Sequence, residues 1–393
     1  MRNMCYTVEV VSTAPIEGKD KIQVINFKEN GYNVIASKNI NVGDIVMYFE
    51  VDSILPITEK FEFLRKRCYK ESLNGFLIKN MKMFDIYSNG LVMTAEELGI
   101  KQDLMKNGGI DFTKTLDIRK FESDDDASPV DEKSALKRFL FSHTCTRWLA
   151  NLIYKKRTKG KIEFPSYLIS KSDETNIQNM KLNFERWKNI PSYATIKMEG
   201  QSCTLAYDSK KLGKNRSLIF GRNALGNAQH EKFFKETGLQ DKLNSFAKIM
   251  KYKSIAVQGE FCAPNVQRGI YKNGTHFYIY RVNINGKKTS YEDMCRVCNA
   301  CGFEIVPLIA KFENGYGNEN DLNATQFNTV NRMQDLVEHI WFRVGSCPIE
   351  FVSDMQVKID KKLYHRSEGI VVRALDNKSF SFKVKSNEYQ LVN

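Results

Sequence analysis

Apolar and polar residues alternate along much of the first hundred positions, which predicts short β-strands. The segments KIQVINF (21–27) and YNVIAS (32–37) both follow this pattern, and they flank Glu29-Asn30-Gly31. An Asn-Gly pair between two apolar runs is a strong signal for a β-hairpin. We therefore predict that these two segments pair as neighbouring antiparallel strands.

The segment that follows, NVGDIVMYFEVDSILP (41–56), combines a turn signal with a long alternating run. Gly43-Asp44 marks the turn, and Pro56 marks the end of the run because proline lacks a donor for the strand ladder. The alternating apolar positions are Ile45, Met47, Phe49 and Val51. Short strands joined by tight turns are typical of a small barrel or sandwich.

The pattern changes at ESDDDASPVDEKS (122–134), which is acidic, polar and interrupted by a proline. We interpret this segment as a linker between one domain at 1–121 and a second at 135–393. Apolar residues then recur at helical spacing as far as Ile153 and lead into the basic segment KKRTKGK (155–161). Such a run is usually a solvated face, but beside a nucleic-acid site it would contact phosphates.

Strands predominate in the second domain from Pro165 onward, and helical stretches are expected near 228–250 and 290–302. The predicted fold class is therefore α+β, with a β-barrel domain first. The domain that follows it would consist of antiparallel sheets with flanking helices.

Charge is the unusual feature of the composition. The 393 residues include 59 Lys and Arg against 46 Asp and Glu, which gives a net charge of +13 and a pI near 9.1. Such an excess suggests a polyanionic partner, with nucleic acid more favoured than a membrane surface. A protein that is generically basic remains the alternative on charge alone.

The sequence gives no indication of a membrane segment or of secretion. No apolar run approaches the ~20 residues that span a bilayer, and MRNMCYTVEVV is too short and too polar for a signal peptide. Nine cysteines, an odd number, favour free thiols in a reducing, cytoplasmic compartment.

Three of these cysteines, in CRVCNACGF (295–303), suggest either a zinc site or a helix face. A closed tetrahedral zinc site needs four ligands, and no fourth Cys or His lies nearby. We favour small apolar residues on one face of a helix, which the spacing of three also fits.

The segment TIKMEGQSC (195–203) carries the first candidate for chemistry. Its alternation predicts a strand buried on one side, with Thr195, Lys197 and Glu199 on the other face. A partly desolvated lysine can present a neutral amine that attacks an acyl carbon, a carbonyl carbon or phosphorus. A K-x-[DE]-G pattern by itself is weak, since it occurs often by chance.

Further charged residues occur in strand-like segments. In AVQGEFCAPNVQRG (256–269), Glu260 lies on the strand face opposite Val257 and Phe261. In HRSEGIVVRA (365–374), Glu368 directly precedes a glycine and a β run.

The segment FSFKVKS (380–386) places Lys383 and Lys385 on one strand face. Two carboxylates that hold a divalent ion and two lysines that hold a phosphate would form a phosphate-binding site around Lys197. Each residue alone has an ordinary structural explanation, but their order and spacing together argue against coincidence.

These segments together resemble the covalent nucleotidyltransferase superfamily of polynucleotide ligases and capping enzymes. The matching segments, in chain order, are KMEG, GRN, QGEF, FYIYRV, SEGIVVR and FKVKS. The resemblance implies that Lys197 is the adenylated lysine. It further implies an AMP- and ATP-binding set and a Mg²⁺ or Mn²⁺ ion positioned by Glu260 and Glu368. The nucleotide-binding set is Lys197, Glu199, Arg222, Glu260, Tyr280, Glu368, Lys383 and Lys385.

The order of the domains restricts the resemblance to one group of ligases within this superfamily. In DNA ligases and capping enzymes an OB domain usually follows the last motif, whereas here the accessory β domain comes first. The segments VGDIVMYFEVDSILP (42–56) and FPSYLISKSDETNIQN (164–179) resemble RNA ligases of the Deinococcus/Naegleria type, which have an OB-like N-terminal domain. The resemblance implies ATP-dependent joining of 3′-OH and 5′-phosphate ends, chiefly at nicks in duplex RNA. We further expect the protein to act as a monomer.

The sequence departs from the family pattern at two motifs. Glu199 stands where aspartate is commoner, and Tyr280-Arg281 stands where related ligases often have Phe-Asp. Tyr280 can still stack on a purine, with Phe277 as a weaker rival for that role. Three alternatives remain: a DNA ligase, a guanylyltransferase, and a nucleic-acid-binding protein that has a ligase fold but no catalytic activity.

Overall fold

The computed structural model describes most of the chain as two compact units. The described residues are 3–121, 164–172, 174–210, 217–222, 225–267, 269–271, 274–318, 327–343, 349–351, 364–376 and 380–392. Unit 1 comprises 1–122, 173–198 and 307–393, and unit 2 comprises 123–172 and 199–306. The predicted linker at 122–134, the helix expected up to Ile153 and the basic segment at 155–161 lie outside the described residues.

The N-terminal part of unit 1 is built from short strands and short helices. Its strands are β1 (Cys5–Pro15), β2 (Ile22–Phe27), β3 (Asn33–Ser37), β4 (Ile45–Phe49), β5 (Ser53–Leu55), β6 (Tyr69–Lys70), β7 (Gly75–Leu77), β8 (Met81–Met83), β9 (Ile86–Ser88), β10 (Leu91–Met93) and β11 (Arg119–Lys120). Its α-helices are α1 (Arg65–Cys68) and α2 (Ala95–Leu98), and 3-10 turns cover Glu59–Leu64, Glu71–Leu73 and Gln102–Met105.

The strands form a five-stranded sheet, β10-β4-β1-β2-β3, a four-stranded sheet, β11-β5-β7-β6, and the hairpin β8-β9. The predicted hairpin is confirmed, because β2 and β3 pair antiparallel from Ile22 opposite Ser37 to Asn26 opposite Asn33. Sheets of short strands such as these fit the small barrel or sandwich that the turn pattern predicted.

Strand β4 shows why the N-terminal part of unit 1, the N-terminal module, needs so many apolar residues. Met47 and Phe49 pack into one hydrophobic core, whereas Val46 and Tyr48 pack into another on the opposite face. The predicted single strand as far as Pro56 is wrong, since β4 ends at Phe49. Asp52 then takes a left-handed conformation, with φ of 69°, and lets the chain turn into β5.

The remaining strands, in chain order, are β12 (Thr175–Asn176), β13 (Ser192–Ile196), β14 (Gln201–Asp208), β15 (Ser217–Phe220), β16 (Ser254–Cys262), β17 (His276–Ile284), β18 (Lys287–Lys288), β19 (Glu304–Ile305), β20 (Leu308–Phe312), β21 (Ile340–Arg343), β22 (Ile349–Phe351), β23 (Tyr364–Arg366), β24 (Gly369–Ala374) and β25 (Ser381–Lys385). The helices are α3 (Lys181–Trp187), α4 (Ala228–Thr237), α5 (Leu239–Ile249), α6 (Tyr291–Cys301), α7 (Val330–Glu338) and α8 (Asn387–Val392), with a 3-10 turn at Ile177–Met180.

The second part of unit 1 contains the sheet β12-β25-β24-β13-β20 and the smaller sheet β22-β21-β23. It is joined to the N-terminal module by direct hydrogen bonds. The Lys181 ammonium donates to the Phe27 carbonyl at 2.8 Å, and the Gly31 amide donates to the Gln178 carbonyl at 2.8 Å. The module therefore packs on the part of unit 1 that carries Lys197.

Unit 2 is a sheet of order β15-β14-β16-β17-β18, with β19 beside β17, covered by α4, α5 and α6. The helices expected near 228–250 and 290–302 are confirmed. Helix α6 begins at Ser290, whose hydroxyl accepts from the Asp293 amide, and ends at Gly302, whose φ of 76° suits glycine.

The three cysteines of α6 behave as the helical spacing predicts. Cys298 and Cys301 lie in the core of unit 2, and Cys295 is half-buried. Burial raises the pKa of the Cys301 thiol to about 11, which keeps it protonated at neutral pH. A protonated, buried thiol packs like a small apolar side chain. Along the whole described chain, no helix is both long enough and apolar enough to cross a membrane.

Candidate active site

Three neighbouring strands of unit 1 meet at one end of their sheet, where β13 and β25 end and β24 begins, and a charged residue lies on or directly beside each strand there. β13 and β24 are antiparallel with Ile196 opposite Ile370, and the Lys197 amide donates to the Gly369 carbonyl at 2.8 Å. β24 and β25 are antiparallel with Gly369 opposite Lys385. This register places Lys197, Glu368 and Lys385 side by side.

The Glu368 carboxylate contacts both lysines. Its Oε2 lies 2.7 Å from Lys197 Nζ and its Oε1 lies 3.5 Å from Lys385 Nζ. The Glu368 side chain is only 9% exposed, compared with 22% for Lys197 and 28% for Lys385. Burial raises the pKa of Glu368, but the charges of Lys197, Lys385 and Lys383 outweigh burial and hold it below its ordinary value. The carboxylate therefore stays ionised between two cations.

Gly369 allows Glu368 to approach β25 so closely. A Cβ atom at Gly369 would lie 1.9 Å from the Val384 carbonyl oxygen, and its φ of +145° is one that other residues rarely adopt. The SEG sequence at 367–369 therefore contains a glycine for a steric reason, and the glycine fixes the position of the acidic residue before it.

The prediction that Lys197 and Glu199 lie on one strand is wrong. β13 ends at Ile196, and both residues lie in the connection to β14. The strand is also buried on both faces rather than one, since Thr195 is as inaccessible as Ala194. β13 lies inside its sheet with β24 and β20 as neighbours, and all five of its residues are buried.

In unit 2, Glu260 lies on β16 as the alternation predicted. Val257 and Phe261 belong to the core of the unit, and Glu260 points to the opposite face. Gly200 passes close beside it, since a Cβ at Gly200 would lie 2.5 Å from the Phe261 carbonyl oxygen and 2.9 Å from Glu260 Cγ. The glycine of KMEG is thus required where the chain runs along β16.

Tyr280 lies on β17, on the strand beside Glu260. The register between β16 and β17 shifts at this point, which produces a bulge at Tyr280. Its hydroxyl is 2.9 Å from Ser172 Oγ and 3.2 Å from Ser202 Oγ, so the ring is held at its polar end. Phe277, its rival for base stacking, is buried in the core against Phe234.

The two other predicted nucleotide-binding residues also belong to unit 2. Glu199 is buried, with an exposed fraction of 4%, and directly precedes Gly200. Arg222 is exposed, two residues beyond the end of β15. The structure thus brings Lys197, Glu368 and Lys385 together in unit 1, with Lys383 on the same strand face as Lys385. In unit 2 it places Glu260 and Tyr280 on adjacent strands.

Family models match two segments of this chain. An OB-fold domain model matches residues 5–95, and an RNA ligase model matches residues 191–385, which span every predicted site residue. Residues 191–385 belong to the RNA ligase family. The predicted family, with an OB-like domain ahead of an RNA ligase domain, is thereby confirmed, and so is the predicted enzyme class.

Solved structures of an RNA ligase from Naegleria gruberi share the fold over the full chain. The complex of that ligase with PPi is 20% identical, covers 100% of this chain and 99% of its own, and has a TM-score of 0.71. A mutant of the same ligase with ATP and Mn is 19% identical with a TM-score of 0.71, and another with AMP and Mn is 19% identical with a TM-score of 0.70; they cover the same shares of both chains. No curated protein sequence matches the chain.

Unit 1 also contains a buried ion pair that sequence reasoning did not single out. Arg373 Nη2 lies 2.8 Å from Glu174 Oε1, and Arg373 Nη1 donates to Thr195 Oγ1 at 3.2 Å. Burial raises the pKa of Glu174, but Arg373, a backbone hydrogen bond and the charge of Lys383 together outweigh burial and lower it overall. Arg373 of β24 thereby holds both the residue that precedes β12 and Thr195 of β13, which lies two residues before Lys197. The only signal in the sequence was an arginine in the otherwise apolar run GIVVRA.

Proposed function

We propose that this protein is an ATP-dependent RNA ligase that joins 3′-OH and 5′-phosphate ends, chiefly at nicks in duplex RNA. The reaction would pass through a lysyl-AMP and an RNA-adenylate intermediate. The observation that carries the proposal is the contact of Lys197 and Lys385 with one buried carboxylate, Glu368, inside an RNA ligase family domain.

In the first step, the Lys197 amine attacks the α-phosphorus of ATP. A bond forms between nitrogen and phosphorus, the bond to the bridging oxygen breaks, and pyrophosphate leaves. Lys197 must lose its proton before it attacks, and the positive charges of Lys383 and Lys385 favour the neutral amine. Glu368 opposes this effect while it is paired with Lys197. Engagement of Glu368 by other groups of the reacting complex would therefore make the lysine a better nucleophile.

In the second step, AMP passes from Lys197 to the 5′-phosphate of the RNA, and the amine is released. In the third step, the 3′-OH attacks that phosphate, a phosphodiester forms and AMP leaves. Lys383 and Lys385 would hold the α-phosphate and its developing charge in all three steps. The two lysines share a strand face, which suits contact with the oxygens of one phosphate.

Three residues of unit 2 would recognise the rest of the nucleotide. Glu199 and Arg222 would hold the ribose and the nearby phosphates, and the ring of Tyr280 would stack on the purine. The two serine contacts of the Tyr280 hydroxyl support this role, because a ring fixed at its polar end loses little freedom when a base binds.

Glu260 and Glu368 would position Mg²⁺ or Mn²⁺, directly or through water. The donor type fits, since Mg²⁺ is commonly bound by one or two carboxylates together with substrate phosphates and water. When bound, the ion would offset negative charge on the phosphates. The ionised state of Glu368 at neutral pH supports its role as a ligand.

The module at 1–121 would grip duplex RNA, together with the basic segment at 155–161, and residues 122–134 would link the two domains. Such binding is expected to be salt-dependent and independent of sequence. We further propose that the protein acts as a monomer in a reducing, cytoplasmic compartment, as its cysteine usage suggested.

A labelling experiment separates this proposal from its rivals. The protein is incubated with a divalent metal and with ATP or GTP labelled at the α-phosphate, and label that survives denaturation is measured. The proposal predicts label from ATP that is lost in Lys197→Ala. Label from GTP alone would indicate capping chemistry, and no label with any metal would indicate a non-catalytic protein.

A panel of nicked duplexes, with RNA or DNA on either side of the nick, then defines the substrate. The proposal predicts that nicks with RNA termini are sealed faster than all-DNA nicks. Preferential sealing of the all-DNA nick would favour the DNA ligase alternative.

A further inference from the structure

Helix α7 of unit 1 ends in a carboxylate that lies next to the catalytic strands and has no part in the proposed chemistry. Glu338 accepts hydrogen bonds at both carboxylate oxygens. The donors are Gln334 Nε2 at 3.2 Å and the Asn387 amide at 2.6 Å on Oε1, and Arg366 Nη1 at 3.4 Å, Ser386 Oγ at 2.7 Å and the Glu388 amide at 3.5 Å on Oε2. A carboxylate with this many donors is firmly held.

Four of the five donors come from the two segments that carry the candidate catalytic residues, and the fifth, Gln334, lies on α7 itself. Arg366 lies two residues before Glu368, and Ser386 directly follows Lys385. The Ser386 amide also donates to the Glu368 carbonyl at 2.9 Å. One carboxylate therefore ties the chain before Glu368 to the chain after Lys385.

Three further contacts make this arrangement rigid. Gln334, one turn earlier on α7, donates to the Lys385 carbonyl at 2.7 Å. The guanidinium of Arg366 donates to the Glu338 carbonyl at 2.7 Å and lies 4.5 Å from the centre of the Trp341 ring. Arg366 thus has both its charge and its flat face fixed, so it transmits the position of α7 to β23.

We propose that Glu338 is a positioning residue for the adenylation chemistry. It holds the Glu368 carboxylate and the Lys385 ammonium at the spacing that acts on the α-phosphate. This inference rests on the proposed function. It assigns Glu338 a task separate from nucleotide binding, because both oxygens of its carboxylate accept hydrogen bonds from other groups of the protein.

The variant Glu338→Gln tests this role with little change in volume. The glutamine side chain has one acceptor oxygen and no charge. Its NH₂ group would face the donors whose hydrogen bonds the second carboxylate oxygen accepts in the wild type. The segments at Arg366 and Ser386 would then separate, and small displacements of catalytic groups cost about 10- to 100-fold in rate. The matched control is Asp335→Asn, which makes the same chemical change at an exposed position of the same helix.

The experiment measures the rate of lysyl-AMP formation over a range of ATP concentrations for the wild type, Glu338→Gln, Glu338→Asp and Asp335→Asn. We expect Glu338→Gln to be about 10- to 100-fold slower at saturating ATP, with a half-saturating ATP concentration within about threefold of wild type. Glu338→Asp, which keeps the charge, should recover part of the rate, and Asp335→Asn should match wild type.

Wild-type speed in Glu338→Gln would overturn the inference. So would a slow Glu338→Gln with no recovery in Glu338→Asp, or a loss confined to the half-saturating ATP concentration. Should Glu338→Gln fail to fold, Ser386→Ala removes one of the five hydrogen bonds to Glu338, together with the bond that Ser386 Oγ accepts from the Tyr389 amide at 3.1 Å. Its folded form should still be several-fold slower at saturating ATP. A wild-type rate in Ser386→Ala would then overturn the inference. Absence of lysyl-AMP in the wild type and in Asp335→Asn would instead contradict the proposed function, and the inference would fail with it.

Discussion

The chemistry proposed for the ligase depends on a balance at one buried carboxylate. Glu368 pairs with Lys197 and with Lys385, so each lysine lowers the pKa of Glu368 and competes for its charge. Removal of one lysine leaves the other with a stronger hold on the carboxylate. The residues of this cluster should therefore respond to substitution as a unit rather than additively.

We predict that Lys385→Ala slows lysyl-AMP formation by about 10²- to 10³-fold, because the α-phosphate loses a preorganised positive charge. The remaining Lys197 would also pair more tightly with Glu368 and stay protonated. The rate of label transfer from ATP at saturating concentration checks this prediction. Lys287→Ala, at an exposed position on β18, is the control and should react like wild type, whereas equal rates in both variants would contradict the role of Lys385.

His230 gives unit 2 a pH dependence that is independent of the catalytic cluster. It packs edge-on against Phe261, its Nδ1 accepts from the Asn227 amide at 3.2 Å, and burial lowers its pKa to about 4. The unfolded chain takes up this proton near pH 6.5, but the folded chain does so only near pH 4. The folded state therefore keeps its full stability above pH 6.5 and loses it progressively as the pH falls toward 4.

We predict that wild type loses about 2 kcal/mol more unfolding free energy than His230→Gln between pH 7 and about pH 4.5. Glutamine can still accept from the Asn227 amide at this capping position, but it does not titrate. Denaturant unfolding of both proteins at each pH measures this difference in unfolding free energy. Because the two proteins contain the same other titratable groups, the comparison removes the effects of those groups. Parallel stability curves for the two proteins would mean that His230 is not held neutral.

At the residue scale, sequence reasoning found the charged residues of the site but not the residues that hold them in place. Lys197, Glu368 and Lys385 were recognised because their motifs have a fixed order. Glu338 lies 30 residues before Glu368 on a helix, and a single acidic residue at a helix end has no sequence signature. Its role depends on tertiary contacts, which local pattern does not encode.

At the scale of elements, the site depends on how closely three antiparallel strands approach one another. Gly369 lies where β24 meets β25, and the Val384 carbonyl occupies the space that a side chain would need. The backbone there combines close contact with a φ of +145°. Both features penalise any other residue, and both lie beside Glu368.

We predict that Gly369→Ala destabilises the ligase by roughly 3 kcal/mol or more, because the methyl group forces β24 and β25 apart. Gly18→Ala is the control, since Gly18 also has a positive φ, +67°, but no atom lies within 4 Å of its would-be Cβ. That substitution should cost only about 1 kcal/mol. Chemical denaturation measures both, and equal losses would show that the contact with Val384 is unimportant.

Element prediction succeeded where one face of a strand or helix is buried and failed where both are. The hairpin β2-β3 and helices α4, α5 and α6 follow ordinary periodicity and were predicted. β13 is buried on both faces, so alternation between Ile196 and Thr195 carried no information about exposure. Similarly, the alternation of apolar and polar residues at 45–55 gave no indication of the turn at Asp52.

At the scale of the whole molecule, the order of OB-fold domain and RNA ligase domain could be predicted from motif order. The composition of the two compact units could not. Residues 173–198 and 307–393 belong with the N-terminal module in unit 1, which sets Lys197 and Glu199 in different units although only one residue separates them. Such a division depends on contacts between segments far apart in sequence.

The net charge of +13 leads to a prediction about substrate binding. We expect affinity for nicked duplex RNA to fall by about 10²-fold or more between about 50 and 200 mM salt, as for four or more phosphate contacts. Fluorescence anisotropy on the full chain, over a salt series, measures the slope. An affinity that does not change with salt would exclude phosphate contacts as the main source of binding.

The most direct test of the central claim is to locate the covalent adduct. The protein is incubated with ATP and a divalent metal, digested, and its peptides are examined by mass spectrometry for a phosphoamide-linked AMP. The account predicts a single modified residue, Lys197, and an unmodified protein in Lys197→Ala. AMP on any other residue, or no adduct on a folded wild-type protein that still seals nicked RNA, would contradict it.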